Sequence, residues 1–262
     1  MMNNVLLEID NRGVACLTLN RPEVHNAFDD VLIGNLIDVL KKLEDNPDVR
    51  VVVLAANGKN FSAGADLNWM ARTADYTVEE NLADARQLAD LMRKLNVLSK
   101  PTVALVQGVA FGGGVGLSSA CDIVIATEQA RFCLSEAKLG LIASVISPYV
   151  RAAIGESYAR RYTLSAEVFD ALEAKRIGLV HEVVAADNLQ EKGEQVVAQL
   201  LKNSPAAMAG VKDLLFYQSG RCVDDDLIEE TAVRIANVRA SSEGKEGVSA
   251  FLEKRPPSWI RD

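Results

Sequence analysis

Short apolar runs rich in β-branched residues alternate with helical patterns through the first half of the sequence. The runs are VVVLA (51–55), VALV (103–106) and IVIA (123–126), and amphipathic helical patterns occupy 29–43 and 82–95. A short, uniformly apolar run is typical of a strand buried on both faces. Strands and helices in this alternation predict a parallel sheet with right-handed crossovers, and therefore an α/β fold.

The start of the sequence departs from this alternation. Segments 5–10 and 14–20 are separated by Asn11-Arg12-Gly13, a pattern that predicts an antiparallel hairpin.

Helical patterns dominate the last third of the sequence, where strand patterns fade except at 179–184. Helices are predicted at 187–202, at 205–218 behind a Ser204 cap, and at 224–240. No linker rich in Pro, Gly or Ser separates the parts. We therefore predict a core at 1–200 and a helical C-terminal region at 201–262 that packs on it.

Composition and charge exclude several classes of function. The net charge is −8, and no stripe of Lys and Arg is interleaved with aromatic residues, so nucleic acid is not expected as a partner. Charged residues interrupt every apolar run well short of the ~20 residues that a membrane-spanning helix needs. Residues 1–13 lack the basic start and apolar stretch of a secretory signal, so a cytoplasmic protein is expected.

Cysteine and histidine usage predicts neither disulfides nor a metal site. The four cysteines are widely spaced in apolar contexts, which favours buried free thiols: Cys16, Cys121, Cys133 and Cys222. The two histidines have no ligand-like spacing with other residues. The chain is therefore expected to bind no metal.

Two loops of the same kind follow neighbouring predicted strands. VVVLA leads into NGKNFSAGADL, and VALV leads into QGVAFGGGVGL, each before a helix. Small residues at such turns allow a ligand to approach the backbone N–H groups, and a helix N-terminus adds partial positive charge. Two such loops at one end of the sheet can direct two amides at one oxygen, as in an oxyanion hole. The alternative is that the glycines only permit close packing of helix against sheet.

Four groups of residues carry a resemblance to a known family. They are Asn20-Arg21-Pro22 with Asn26-Ala27, the Phe-Ser-Ala-Gly-Ala-Asp segment at 61–66, the three glycines at 112–114 with Cys121-Asp122, and the segment 132–136, which ends in Glu136. In this order and spacing they resemble the enoyl-CoA hydratase/isomerase (crotonase) superfamily over essentially the whole chain. The resemblance implies a spiral of ββα turns with a helical C-terminal region that mediates trimerisation, in a homotrimer or homohexamer.

The resemblance also implies the substrate and the site. The substrate is an acyl-CoA, which carries its own coenzyme A, so no separate cofactor is expected. The backbone N–H groups of Ala65 and Gly113 are expected to bind the thioester oxygen, with Glu136 as the acid/base. The predicted contacts with the CoA and acyl parts are Val24, Ala27, Ala63, Asp66, Leu67, Gly116 and Ser144. Asp66 is equally suited to cap the following helix.

One position departs from the familiar pattern of the family. Two-glutamate hydratases carry a glutamate where this chain has Gly116, so Glu136 is left for proton transfer. A single glutamate with a raised pKa can activate water and then protonate the α carbon. It can equally shuttle a proton between the α and γ carbons, as an isomerase does. Hydrolases of the family have an aspartate where this chain has Ser144, and a non-catalytic CoA-ester binder is a further alternative.

The segment 139–162 resembles bacterial hydratases of leucine and acyclic-terpene degradation. By that resemblance, the expected reaction is hydration of a β-branched enoyl-CoA such as 3-methylglutaconyl-CoA or isohexenylglutaconyl-CoA. Gly116 is predicted to leave room for the branch. The distal carboxylate is predicted to meet a polar side chain from the set Ser144, Ser147, Tyr149 and Arg151.

Overall fold

The computed structural model describes residues 4–260, and the strands of this range form two sheets. In chain order the strands are β1 (Val5–Ile9), β2 (Val14–Leu19), β3 (Val51–Ala56), β4 (Thr102–Val106), β5 (Val109–Phe111), β6 (Ile123–Thr127), β7 (Arg131–Cys133), β8 (Phe169–Asp170) and β9 (Glu182–Val184). The larger sheet has the order β1-β2-β3-β4-β6-β9, and the smaller has the order β5-β7-β8. In the larger sheet β1 and β2 pair antiparallel, and the other neighbours pair parallel. The predicted hairpin and parallel sheet are confirmed.

Helices follow most of the strands. In chain order they are α1 (Asp30–Asp45), α2 (Leu67–Thr73), α3 (Val78–Val97), α4 (Gly113–Ala120), α5 (Ser147–Ser165), α6 (Ala171–Ile177), α7 (Leu189–Leu201), α8 (Pro205–Gln218), α9 (Asp225–Ala240) and α10 (Ser242–Glu253). The helices predicted at 29–43, at 82–95 and in the last third are confirmed. Ser204 caps α8 as predicted, because its side chain accepts a hydrogen bond from Ala207 N–H.

Several elements are not predicted by the sequence pattern, namely α5, α6, α10 and the smaller sheet. α5 has few buried residues and is interrupted at Gly155, so it shows no regular apolar period. Strands of the smaller sheet are two or three residues long, which is too short for a pattern to be recognised. Contacts between segments hold this sheet, and the Phe132 ring of β7 stacks on Phe169 of β8 with centroids 5.7 Å apart.

The central strands β3, β4 and β6 of the larger sheet are buried on both faces, as predicted. In β3, Val52 and Leu54 face the main core. Val51 and Val53 face a second cluster that includes Val197 of α7. This two-residue alternation is the ordinary geometry of a strand, and burial of both faces explains why the strands are uniformly apolar.

The side chains of Arg50 and Lys212 connect the C-terminal region to the core through polar contacts. Arg50, directly before β3, donates to the carbonyl oxygens of Asn203 (2.9 Å) and Trp259 (2.8 Å). Lys212 of α8 pairs with Asp122 at 2.7 Å. Both cations are largely withdrawn from solvent, so these contacts are little screened by water.

Apolar side chains on the last three helices are exposed in the isolated chain. They are Val211, Leu215, Phe216, Ile228, Val233, Ile235, Val238, Val248, Phe251 and Leu252. A concentration of exposed apolar residues is typical of an interface between proteins. The predicted trimer or hexamer and the division of the chain after residue 200 stay predictions. Residues 261 and 262 of the predicted C-terminal region lie outside the described range.

The cysteine prediction holds in part. The four cysteines are free, and Cys121 and Cys133 are buried, whereas Cys222 is exposed because it lies in the connection between α8 and α9. In residues 4–260 no three His, Cys, Asp or Glu side chains are grouped to hold a metal ion. No helix of that range has the length and apolar character needed to cross a bilayer. The predicted absence of a metal and the cytoplasmic location stay predictions.

Candidate active site

The loops that follow β3 and β4 lie side by side, as predicted. β3 and β4 are parallel neighbours, so both loops leave the same edge of the sheet. Ser62 N–H donates to the carbonyl oxygen of Val109 at 3.0 Å, and Phe111 N–H donates to that of Ser62 at 2.9 Å. A Cβ atom on Gly64 would lie 3.2 Å from the carbonyl oxygen of Phe111, so glycine permits this close approach.

Among the described residues, the backbone N–H groups of Ala65 and Gly113 have no hydrogen-bond partner where these loops meet. Phe28 N–H donates to the carbonyl oxygen of Gly64, and Asp66 N–H donates to that of Phe28, each at 2.7 Å. The intervening Ala65 N–H makes no hydrogen bond within residues 4–260. Gly113 opens α4, and its N–H is also unpaired in the described chain, as first-turn amides of a helix are. Two unpaired donors on adjacent loops are the arrangement that stabilises an oxyanion.

The Glu136 carboxylate faces the same loops. Glu136 is the first residue of a 3-10 helix, Glu136–Leu139, shortly after β7. The carbonyl oxygen of Cys133, at the end of β7, accepts a hydrogen bond from Gly112 N–H at 2.9 Å. A Cβ atom added to Gly112 would lie 3.2 Å from Glu136 Oε1. The φ of Gly112 is 49°, a value that glycine adopts without strain. Glu136 Oε2 is buried and has no hydrogen-bond partner among the described residues. Burial raises the pKa of this carboxyl above its usual value, although a hydrogen bond from its own backbone N–H opposes the shift.

Asn26 holds together the two segments predicted to bind CoA. Its side-chain amide donates to the carbonyl oxygens of Asn57 (2.9 Å) and Asn60 (2.8 Å). Its own carbonyl oxygen accepts from Ser62 Oγ at 2.9 Å. Because Asn26 is fully buried, these bonds form a fixed connection between the segments. Leu67 is exposed, Val24 and Ala63 are half-buried and Ala27 is buried, and the contacts of these four residues with CoA stay predictions.

Asp66 is the N-cap of α2. Its carboxylate accepts from Asn68 N–H at 2.9 Å and Trp69 N–H at 3.2 Å, and it pairs with Arg21 at 3.2 Å. The indole of Trp69 then donates to Asp84 of α3 at 3.1 Å. Of the two roles considered for Asp66, the structure shows the cap, and contact with CoA stays a prediction.

Gly116 does not border an open space, which corrects the prediction that it leaves room for a branch. A Cβ atom at position 116 would lie 3.0 Å from Ile146 Cβ and 3.2 Å from Met92 Cε, and Ile146 Cγ2 is closer still. Both side chains are buried. We call these two side chains, Met92 and Ile146, the apolar wall. No sequence pattern reveals this wall, because a buried Ile or Met in an apolar pattern resembles any other core residue.

Three of the polar residues predicted near the acyl group lie at the surface. Ser144 is exposed, and its carbonyl oxygen accepts from Ser147 Oγ at 2.8 Å. Arg151 is exposed and pairs with Glu156 at 3.3 Å. The contact of Ser144 with the substrate stays a prediction.

Tyr149 is the candidate that the core partly encloses. It is half-buried, packs against the main core and follows Ile146 by one turn. Burial raises the pKa of its hydroxyl, whereas the positive charge of Arg93 acts in the opposite direction. Arg93 follows Met92 in α3, where it is exposed and pairs with Asp90 at 3.2 Å. The Tyr149 hydroxyl and the Arg93 guanidinium therefore belong to residues that are close in the chain to the apolar wall.

Comparison with known proteins finds relatives over almost the whole chain. A family model described as enoyl-CoA hydratase/isomerase matches residues 9–262. The crystal structure of an enoyl-CoA hydratase from Shewanella pealeana ATCC 700345 is similar with a TM-score of 0.96 and 48% identity, covering 99% of this chain and 97% of that chain. The 2,3-dehydroadipyl-CoA hydratase of Escherichia coli (strain K12) is 34% identical over 94% of each chain. The mitochondrial Δ(3,5)-Δ(2,4)-dienoyl-CoA isomerase of Dictyostelium discoideum is 30% identical over 95% of this chain and 88% of its own.

The raised pKa of Glu136 predicts that the substitution Glu136→Gln stabilises the protein at neutral pH. Above the folded-state pKa the buried carboxylate is charged and destabilises the fold, whereas below the unfolded-state pKa of about 4.3 it is neutral in both states. The Tm of Glu136→Gln should therefore exceed that of wild type at pH 7–8, and the difference should shrink as the pH falls. Thermal unfolding between pH 4 and 8 measures this.

The matched control is Glu167→Gln. Glu167 is exposed, and the Arg161 side chain lowers its pKa, so its substitution should not stabilise the protein at any of these pH values. Equal stability of wild type and Glu136→Gln at pH 8 would contradict a raised pKa at Glu136.

Proposed function

Because the chain belongs to the enoyl-CoA hydratase/isomerase family, we propose that it adds water to an α,β-unsaturated acyl-CoA. The chain is an enzyme of this hydratase-containing family, and the crotonase-like fold with a helical C-terminal region, expected from the sequence, is confirmed by its relatives. One observation supports the proposed chemistry above others. Glu136 Oε2 is buried without a partner in residues 4–260, beside loops that carry two unpaired N–H groups.

The proposed reaction uses three groups. The N–H groups of Ala65 and Gly113 donate to the thioester oxygen, and each such donor contributes about 3–4 kcal/mol to stabilising the developing charge. Glu136 removes a proton from water as the water oxygen bonds to the β carbon, and the electrons of the C=C bond move to the thioester oxygen. The protonated Glu136 then returns its proton to the α carbon, which completes the addition of water. This route needs no cofactor besides the CoA of the substrate.

The proposed substrate is a β-branched enoyl-CoA with a distal carboxylate, such as 3-methylglutaconyl-CoA. We propose that the β-methyl branch packs on the apolar wall, whose side chains fill the space beside Gly116, since methyl groups pack favourably against apolar side chains whereas a carboxylate there would have to be desolvated. The Escherichia coli relative supports the distal carboxylate, since its name describes a CoA ester of a diacid. Degradation of leucine is the metabolic setting that this substrate implies.

Tyr149 and Arg93 are the groups that we propose for the distal carboxylate. Tyr149 is half-buried beside the core, and Arg93 is close enough to influence the pKa of its hydroxyl. A hydroxyl and a guanidinium both donate hydrogen bonds to carboxylates. Arg93 directly follows Met92 in α3, and Tyr149 follows Ile146 by three residues at the start of α5, so both proposed groups are near the apolar wall in the chain.

A second candidate is enoyl-CoA isomerisation, in which Glu136 moves a proton between the α and γ carbons. The observation that favours it is the apolar wall, which stands where a second acid would be in a two-carboxylate site. The Dictyostelium discoideum relative named as an isomerase is compatible with this alternative.

The ultraviolet absorbance of the conjugated thioester separates these functions. A hydratase removes this absorbance from a 2-enoyl-CoA, an isomerase generates it from a 3-enoyl-CoA, and a non-catalytic binder changes neither. Glu136→Gln should lower kcat/KM by at least about 100-fold, because it removes the acid/base. Since burial raises the pKa of Glu136, the acid limb of the wild-type rate profile should lie above the usual range of glutamate.

Glu167→Gln, which changes an exposed carboxylate, should retain wild-type kcat/KM. Retention of activity by Glu136→Gln would remove Glu136 from the mechanism. Loss of absorbance from 2-enoyl-CoA esters by the wild type, without activity on 3-enoyl esters, is the result expected of the hydratase.

Tyr149→Phe should weaken the recognition of a diacid ester specifically. We expect KM for 3-methylglutaconyl-CoA to rise about tenfold, because a hydrogen bond to a charged group is lost, while KM for crotonyl-CoA is unchanged. Steady-state kinetics with both esters measure this, with Tyr158→Phe as control, since the Tyr158 hydroxyl accepts instead from Arg176 at 2.9 Å. A wild type that prefers crotonyl-CoA would contradict the branched diacid substrate.

A further inference from the structure

Position 116 and the side chain of Ile146 compete for the same space. Gly116 lies one turn into α4, and its N–H donates to the carbonyl oxygen of Gly112 at 3.1 Å. A Cβ atom there would lie 3.0 Å from Ile146 Cβ, with Ile146 Cγ2 closer still, which is inside the distance that real Cβ atoms keep. Any side chain at position 116 therefore requires Ile146 to move.

The two parts of the apolar wall differ in how easily they move. Ile146 is 3% exposed, and its carbonyl oxygen accepts from the N–H groups of Tyr149 and Val150, both at 3.1 Å, at the start of α5. Its side chain is branched at Cβ and has few accessible rotamers. Met92 approaches through its terminal methyl group, and methionine adapts readily to its surroundings. Ile146 is therefore the rigid part of the wall.

A single short segment carries both Glu136 and Ile146. The two residues are ten positions apart in the chain, and Leu141 N–H donates to the carbonyl oxygen of Glu136 at 3.0 Å. Glu136 Oε1 lies beside Gly112, the N-cap of α4, and Ile146 lies beside Gly116, four residues further along. The carboxylate and the Ile146 side chain thus lie beside successive glycines at the start of α4.

We infer that Ile146 is a specificity-determining residue, a conclusion that rests on the proposed function. Its side chain limits the size of the substituent that the β carbon of the acyl group can carry beside α4. It also excludes a second carboxylate at position 116, so one residue sets both the single-acid chemistry and the accepted branch.

The steric coupling is tested first, in a way that does not depend on activity. Gly116→Ala should lower the Tm by about 2–8 °C, because the added methyl group overlaps Ile146. In an Ile146→Ala background the same substitution should cost nothing or raise the Tm, since the space is free and alanine favours helix more than glycine does. Val150→Ala is the matched control, one turn further along α5, and there Gly116→Ala should still lower the Tm. Equal effects of Gly116→Ala in all three backgrounds would overturn the coupling.

The specificity is tested with two 2-enoyl-CoA esters that differ in having a methyl or an ethyl group on the β carbon. Ile146→Ala should raise the ratio of kcat/KM for the ethyl ester to that for the methyl ester by about tenfold or more, because one methylene in an apolar pocket has an effect of this size. Ile146→Val, which removes a single methyl group and is the milder change, should raise the ratio by a smaller factor. Val150→Ala should leave it within about twofold.

The outcomes separate the two proposals. A ratio unchanged by Ile146→Ala, or raised equally by Val150→Ala, overturns the assignment of Ile146 and leaves hydration itself intact. If the wild type hydrates neither ester, the proposed function is wrong. The ratio of Kd for the corresponding saturated esters then replaces kcat/KM, and the same tenfold shift in Ile146→Ala is expected.

Discussion

Hydrogen bonds between the loops after β3 and β4 are the constraint on which the site depends. Ser62 exchanges two of them with Val109 and Phe111, and they hold the loops in a fixed register. Ala65 is three residues after Ser62, and Gly113 is two residues after Phe111. The positions of their N–H groups therefore follow from this register. The bond from Gly112 to Cys133 extends the same control to the segment that carries Glu136. Hydrogen bonds between backbone groups, together with the close approach that Gly64 permits, thus set the geometry of the site.

The buried carboxylate of Glu136 opposes the stability of the fold. Its Oε2 atom has no partner in residues 4–260, which is unfavourable for a buried polar atom. The raised pKa of Glu136 has the same cause, since desolvation disfavours the charged form. The carboxylate stays buried because the apolar core of the protein, which includes Phe28 and Phe132, fixes the backbone around it.

The sequence predicts those parts of the fold and site that local patterns encode. Uniformly apolar strands identify the parallel sheet, and the resemblance identifies Ala65, Gly113 and Glu136 because each lies in a contiguous motif. The apolar wall has no such signal, because Ile146 and Gly116 are thirty residues apart and meet through packing alone. The absence of a side chain at position 116 therefore suggested an open space, although another segment fills it. Strands of two or three residues, such as β8, are likewise held by contacts between segments and are too short to give a pattern in the sequence.

The cap at Asp66 links Ala65, the proposed oxyanion donor, to the start of a helix. Asp66 is adjacent to Ala65, closes the first turn of α2 and pairs with Arg21 in the first predicted CoA segment. α2 is short, and it is tied to α3 through the bond from Trp69 to Asp84. The backbone on either side of Ala65 is bonded to Phe28, through the carbonyl oxygen of Gly64 and the N–H group of Asp66. The start of α2 and the direction of the Ala65 amide are therefore fixed together, so a change at the capping carboxylate also reaches the amide before it.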